Sequence, residues 1–469
     1  MSRHTKIILI TLVTLAALWL ILVGSAVTWF LVNSLDIPVP DTSDLAPDRV
    51  RVSDEDNAYT YFSAAFESFQ WAERDSRVES ILAGKTWDDE FVSGLVSKNA
   101  DTLALLKRGL TCAIYQQPEA DSFKSHSKWV EMSKLMALKA IYERRTGQTE
   151  QSLESCLDLL RFGSLVTASP AQFIEYLVGF VILDRALDQG RQLLRESQLT
   201  EAQLVALSDQ LNRISPLDEG LVRAIKMEFE LILGMITRVE SSVDSSDPTM
   251  KGIRYYVPRR YAFQPNRTTK GFADFCRTMI ENASRPYAEM DLPEDDQVFP
   301  SGLSALMLIL RPNVVAKMLL PAPNYLNPCF KAKNEVQVRL TALRLVVACR
   351  LYEMRHGQLP ETLESLVPAF LDRVPCDPFD GKPFRYSPEH AIVYSVGKDL
   401  RDSGGSRKRL GIAARSRHTK SDANTEDLVY DIYDKTEQPA PAGQVQASPP
   451  VSRTITEAAR AKVSPTTGS

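Results

Sequence analysis

The sequence predicts a mainly α protein. An N-terminal transmembrane helix leads into an irregular helical-hairpin domain, and a small α+β module follows. Three observations predict this. Ile7 to Val32 is a run of 26 residues without a charge. Through the middle of the chain, helix start and stop signals alternate with apolar residues spaced three and four apart. Near residue 350 a long periodic helix gives way to turn-rich sequence and short strand-like segments. The expected organisation is a cytoplasmic stub and anchor over 1–33, a linker over 34–56 and an all-helical domain over 57–325. The α+β module then covers 326–436 and a disordered tail 437–469.

A bilayer core about 30 Å thick needs about 20 apolar residues in a helix, so Ile7–Val32 is long enough to span. Trp29 and Phe30 fall near its end, where an aromatic belt sits. Arg3 and Lys6 precede the run, whereas Asp36, Asp41, Asp44 and Asp48 follow it before Arg49. The positive-inside rule then puts the N-terminus in the cytoplasm. The implied place is a bacterial inner membrane, single-pass, with the bulk of the chain periplasmic. A cleaved signal peptide is the competing reading, with Gly24-Ser25-Ala26 as its small residues, but a signal core is usually about 7–15 residues long.

Composition narrows the function classes. The 469 residues carry 55 Lys and Arg against 59 Asp and Glu, a net charge of −4, which argues against a general nucleic-acid binder. With 44% hydrophobic and 24% charged residues the chain is not wholly disordered. Five His and six Cys exclude a His-rich or Cys-rich metal scaffold. None of Cys112, Cys156, Cys276, Cys329, Cys349 and Cys376 forms a CxxC pair, and buried free thiols are the expectation.

In the helical region, residues 127–146 place Trp129, Met132, Met136 and Ala140 on one face, and Gly147 is the stop. Ser169-Pro170 is expected to open the next helix, with Ser as N-cap and Pro at the first position. Thr200 and Gln203 make a capping box, with Leu199 and Leu204 at the staple positions. No copy of the hairpin recurs at a 34-residue period, so a tetratricopeptide array is rejected. Residues 251–271 mix Arg254, Arg259, Arg260 and Arg267 with Tyr255, Tyr256, Tyr261 and Phe263. That pattern can bind single strands; a long inter-helix loop whose aromatics pack back on the bundle is preferred, and no nucleic-acid partner is expected. Asn266-Arg267-Thr268 is a glycosylation sequon. Leu303–Leu320 is apolar but broken by Arg311, Pro312 and Lys317, so a buried or membrane-grazing helix is expected there.

Near the C-terminal end, Val336, Leu340, Leu343, Val347, Leu351 and Met354 mark a helix over 333–356, stopped by Gly357 with Pro360 beyond. A short helix over Glu361–Val367 follows. Asp377-Pro378 and Asp380-Gly381 are turns, and Phe384–Tyr386, Ile392–Val396 and Leu428–Ile432 read as strands. The run from Arg355 through "HGQLPETLESLVPAFLDRVPCDPFDGKPFRY" to Tyr386, then Tyr394-Ser-Val-Gly-Lys-Asp399 and Gly404-Gly405, resembles the C-terminal half of the type II secretion major pseudopilin. The likeness covers about 100 of the 469 residues. The whole chain resembles large exported helical proteins of planctomycete-type bacteria that carry this module. Residues 1–33 lack the pseudopilin leader and early Glu, so pilus assembly is not carried over. In that family the loop after "Y-S-x-G-x-D" binds calcium, which implies Asp399, Asp402, Asp422 and Asp427 as ligands here; hard oxygen donors suit that ion. An insertion over 406–420 carries six positive charges and opposes it.

Catalytic signatures are sparse. Gly84-Lys85-Thr86 ends like a P-loop, but Glu79 stands at the upstream Gly position. No HExxH, GxSxG or GxGxxG occurs. Acidic pairs such as Asp88-Asp89 and Asp295-Asp296 are read as lying in loops or helix starts, where dipole complementation explains them more simply than glycoside hydrolysis. The expectation is a non-catalytic, membrane-anchored extracytoplasmic scaffold or adaptor with protein partners in the cell envelope. The alternatives are a cell-envelope hydrolase and an accessory factor of a type II secretion system.

Overall fold

The computed structural model describes residues 3–48, 51–70, 76–118, 126–168, 172–244, 259–292, 312–314, 316, 327–406 and 427–433. The fold is mainly helical with one three-stranded antiparallel sheet. The chain divides into two compact units. One comprises Met1–Pro47, Glu228–Thr278 and Pro293–Tyr325; the other comprises Asp48–Met227, Met279–Leu292 and Leu326–Ser469.

In the first unit, α1 spans Arg3–Asn33. It satisfies its own polar groups. Thr11 Oγ1 donates to Ile7 O at 2.9 Å and Thr14 Oγ1 to Thr11 O at 2.9 Å. At its end, Asn33 Nδ2 donates to Trp29 O, and Ser34 Oγ donates to Phe30 O, one of the four open carbonyls of the last turn. The unit also holds the later part of α10 (Leu217–Asp244) and most of α11 (Pro265–Ala283). Phe229 of α10 stacks on Phe272 of α11 at 5.9 Å. Residues 251–271 were expected to be one long loop. Instead, a single helical turn covers Arg259–Ala262 and α11 begins at Pro265. Proline suits a first helical position, and its neighbours "NRTTK" lack the apolar spacing that marks a helix. Tyr261 and Phe263 are buried, as the loop reading required. Residues 251–258 lie outside the described residues, as does Leu303–Leu320 apart from 312–314 and 316.

In the second unit, α2 (Ala58–Glu67) starts at the Asn57 cap. Asn57 Oδ1 accepts from Tyr59 N and Gln116 N, and Asn57 Nδ2 donates to Gln116 O. α3 (Ser76–Leu82), α4 (Asp89–Lys98) and α5 (Ala100–Gly109) follow. Asp88 caps α4 through Phe91 N at 3.0 Å, so the Asp88-Asp89 pair is a helix start; Asp295-Asp296 lies outside the described residues. α6 (His126–Arg145) and α7 (Thr149–Ala168) turn at Gly147, whose φ of 77° favours glycine. α8 spans Phe173–Glu196. Its N-cap is Gln172, three residues beyond the expected Ser169; Ser169 and Pro170 lie outside the described residues. α7 and α8 approach closely because both carry glycine at the crossing: a Cβ on Gly163 would meet Leu183, and one on Gly179 would meet Thr167 Cγ2 at 2.5 Å. α9 (Glu201–Asn212) opens on the expected Thr200–Gln203 capping box, with Leu199 and Leu204 buried.

α12 (Asn327–His356) packs on α8 and α9 and carries the sheet. Gly357 ends it at φ 76°. Between Pro360 and Pro368 a 3₁₀ turn, Leu363–Leu366, stands in place of the expected helix. β1 (Arg385–Ser387), β2 (Ile392–Ser395) and β3 (Leu428–Asp431) pair antiparallel in that order, with Tyr386 opposite Val393 and Tyr394 opposite Val429. Central β2 is buried throughout. Arg350 of α12 donates to Ile432 O at 2.9 Å and to Leu194 O at 2.8 Å, fastening the ends of β3 and α8 to one helix. Among the described residues no disulfide joins the cysteines; Cys156, Cys276, Cys329 and Cys349 are buried, Cys112 is half-buried and Cys376 is exposed. Burial pushes the Cys156, Cys276 and Cys349 thiols up to about 12. The expected tail over 437–469 lies outside the described residues.

Candidate functional site

Among the described residues, Ile7–Asn33 of α1 is the one helix long and apolar enough to cross a membrane. Its large apolar side chains stand in solvent, which in water would leave a patch far larger than soluble proteins tolerate. Its last turns meet protein among the described residues: Phe30 stacks on Tyr261 at 4.7 Å and Trp29 meets the same ring edge-on at 6.0 Å.

Residues 34–47 are fastened to α11. Gln264 Nε2 donates to Asn33 O. The Asp36 carboxylate accepts from Asn266 N at 2.9 Å and Arg267 N at 3.0 Å, capping α11 from 230 residues away in sequence. Asn266 Nδ2, the sequon nitrogen, donates to Ile37 O at 2.8 Å. Arg277 forks onto Asp44 with its Nε at 2.9 Å and Nη2 at 2.8 Å, and Nη2 also reaches Asp41 O. The Ser43 N–H, then the Ser43 hydroxyl, holds the Asp41 carboxyl below its ordinary value. The hydrogen bond to Asp44 raises Arg277 further.

The C-terminal module holds a second acidic cluster. Asp377 is fully buried and accepts four bonds, from Phe379 N (3.0 Å), Ser395 Oγ (2.9 Å), Val396 N (3.0 Å) and Arg385 Nη1 (3.0 Å). Burial pushes its carboxyl up, and the Phe379, Ser395 and Val396 donors pull it back. Arg385 also grips Asp380 through both terminal nitrogens and lies 3.5 Å from Asp402 through Nε. Asp402 accepts from Gly404 N and Tyr394 OH. Asp427 accepts from Ser403 N at 3.0 Å and Gly405 N at 2.8 Å; burial raises it, and the charges of Asp402 and Asp399 add to the rise. The Gly404-Gly405 pair, at φ 69° and 74°, shapes this loop, and a Cβ on Gly405 would overlap Ile392.

Of the four expected calcium ligands, Asp399, Asp402 and Asp427 share this loop, and Asp422 lies outside the described residues. Asp399 accepts from Arg401 N. Among the described residues no three His, Cys, Asp or Glu side chains are grouped to hold a metal ion. Sequence reasoning missed Asp377 and Arg385. The one local signal was a charged residue at the start of a short strand whose other members are half-buried.

A cavity of about 200 Å³ lies among α5, α6 and α7, with Leu103, Leu106 and Met136 on its apolar side and Lys139, Ser155 and Asp158 on its polar side. Lys139 Nζ donates to Glu143 Oε1 and to Ser155 Oγ, both at 2.6 Å, and Ser155 Oγ donates to Glu143 Oε2 at 2.6 Å. The serine proton therefore points to a carboxylate already held by the lysine. That is a pattern of mutual fastening, and it differs from a nucleophile facing a free base. Burial raises the Asp158 carboxyl, with Arg161 pulling it back.

No family model, no curated protein and no solved structure matches the chain.

Proposed function

We propose that the protein is a membrane-anchored scaffold or adaptor of the bacterial cell envelope. In this reading α1 is the single span, residues 1–6 face the cytoplasm and the rest of the chain lies across the membrane. One observation carries it: a 27-residue apolar helix, Ile7–Asn33, whose side chains the protein leaves uncovered. Arg3 and Lys6 before the run and Asp36, Asp41, Asp44 and Asp48 after it support the orientation. A periplasm-active phosphatase fused after Ser469, with alkaline carbonate extraction of membranes, tests both parts. Activity outside the cytoplasm and retention in the membrane pellet are expected. A cytosolic reporter removes the orientation, and release by carbonate removes the span.

The reading includes a pseudopilin-like C-terminal module, supported by the order of long helix, hairpin and third strand. It also includes calcium at the loop of Asp399, Asp402, Asp422 and Asp427. Burial first, and then the charges of Asp402 and Asp399, raise Asp427, and a divalent ion would offset the second of these causes. Melting with calcium and with chelator tests the ion: a higher midpoint with calcium is expected, and equal midpoints remove it.

A further inference from the structure

We propose that residues 35–41 form a foot lying on the membrane surface, with Leu35 and Val39 inserted at the level of the lipid headgroups. The inference rests on reading α1 as the span.

Ile7–Asn33 rises about 40 Å, roughly 10 Å more than the hydrocarbon core of a bilayer. Its last turns therefore stand in the interface, where Trp29 and the Tyr261 ring packed on it belong. The chain does not then become polar. Leu35 is 63% exposed and Val39 is 82% exposed, the most open large apolar side chain among the described residues. Val39 sits between Pro38 and Pro40, whose locked φ angles hold it outward with little entropy left to lose on insertion.

Acidic residues on such a strap would oppose anionic lipid. Here each of them, though exposed, is held by a protein donor. Asp36 is taken by the first amides of α11, Asp41 by Ser43, and Asp44 by Arg277. The strap thus offers lipid two open apolar side chains, while amide, hydroxyl and guanidinium donors of the protein partner its acids. Its partner is the lipid surface continuous with the span.

The full chain, reconstituted in vesicles of zwitterionic and anionic phospholipid, carries a benzophenone amino acid at Leu35, Val39, Leu18 or Glu361, one per variant. Leu18 lies within the span, and Glu361 is exposed in the other unit. After illumination, mass spectrometry reads lipid adducts. Adducts at Leu35, Val39 and Leu18, several-fold above Glu361, are expected. Adducts at Leu18 with background yield at Val39 overturn the foot and leave the span standing. Background yield at Leu18 overturns the span and the foot together. Equal yield at Glu361 shows unspecific capture and overturns the foot.

Discussion

Replacing Asp377 with alanine should loosen the sheet end of the C-terminal module by an amount set by the bonds it makes. The carboxylate accepts from two backbone amides, one hydroxyl and one guanidinium. Phe379 and Val396 are themselves buried, so their N–H groups find no water when the acceptor goes. Each orphaned buried donor costs about 1–3 kcal/mol. Arg385 keeps Asp380, which limits the electrostatic loss. Breaking a buried pair of this kind costs about 3–5 kcal/mol, and a loss near 3 kcal/mol corresponds to roughly 100-fold in a local opening equilibrium.

Hydrogen exchange followed by mass spectrometry reads that opening directly, without assuming that a chain of two units melts in one step. Peptides covering 392–400 in Asp377→Ala should exchange roughly 100-fold faster than in the wild type. Asp399→Ala, which removes one exposed bond to Arg401 N, serves as the control and should change little. Protection in Asp377→Ala within about threefold of wild type would mean less than 1 kcal/mol was at stake. The view of Asp377 as the organiser of this corner would then be wrong.

Three further outcomes are expected. Gly220→Ala places a methyl against the Thr167 carbonyl oxygen, and overpacking of that kind costs about 1–3 kcal/mol; a thermal midpoint equal to wild type would refute the close approach. Asp36→Ala removes the cap of α11, worth about 0.5–2 kcal/mol, and the amides of Asn266 and Arg267 should lose exchange protection while those in α9 do not. Asp158→Asn should melt above wild type at neutral pH and together with it in acid. Burial raises the folded-state carboxyl, so wild-type stability falls as pH climbs from the unfolded to the folded value and stays low above it. Arg161 keeps Gln210 in the variant, and an unchanged difference across pH would refute the assignment.

What was legible in the sequence was what neighbouring residues decide. Thr200 and Gln203 cap α9 within one turn, Asp88 caps α4 three residues on, and Gly357 stops α12 where no side chain opposes a positive φ. The three strands fell within two residues of their expected places, because a turn marker bounded each. What was illegible depends on residues far apart. Asp36 finds the start of α11 only once the chain has returned 230 residues later. Arg385 reads as an ordinary strand residue until Asp377, Asp380 and Asp402 surround it. The glycines at 163, 179 and 220 interrupt helical patterns for no local reason, and only the crossing at Thr167 and Leu183 explains them.

The strap and the C-terminal loop solve one electrostatic problem in the same way. Each sets several carboxylates close together, and each gives one of them to a pair of backbone amides. Asp36 and Asp427 each accept from two backbone N–H groups, and a single forked arginine, Arg277 or Arg385, takes an acid that remains. Amide donors cost no counter-charge and cannot be screened away by salt as a surface ion pair can. A calcium ion at the C-terminal loop would therefore enter a place whose acids already have partners. An ionised carboxylate offers about four lone-pair sites, and Asp427 uses three contacts from two donors. The ion would share Asp427 with the Ser403 and Gly405 amides, and its binding would tighten the turn those amides define.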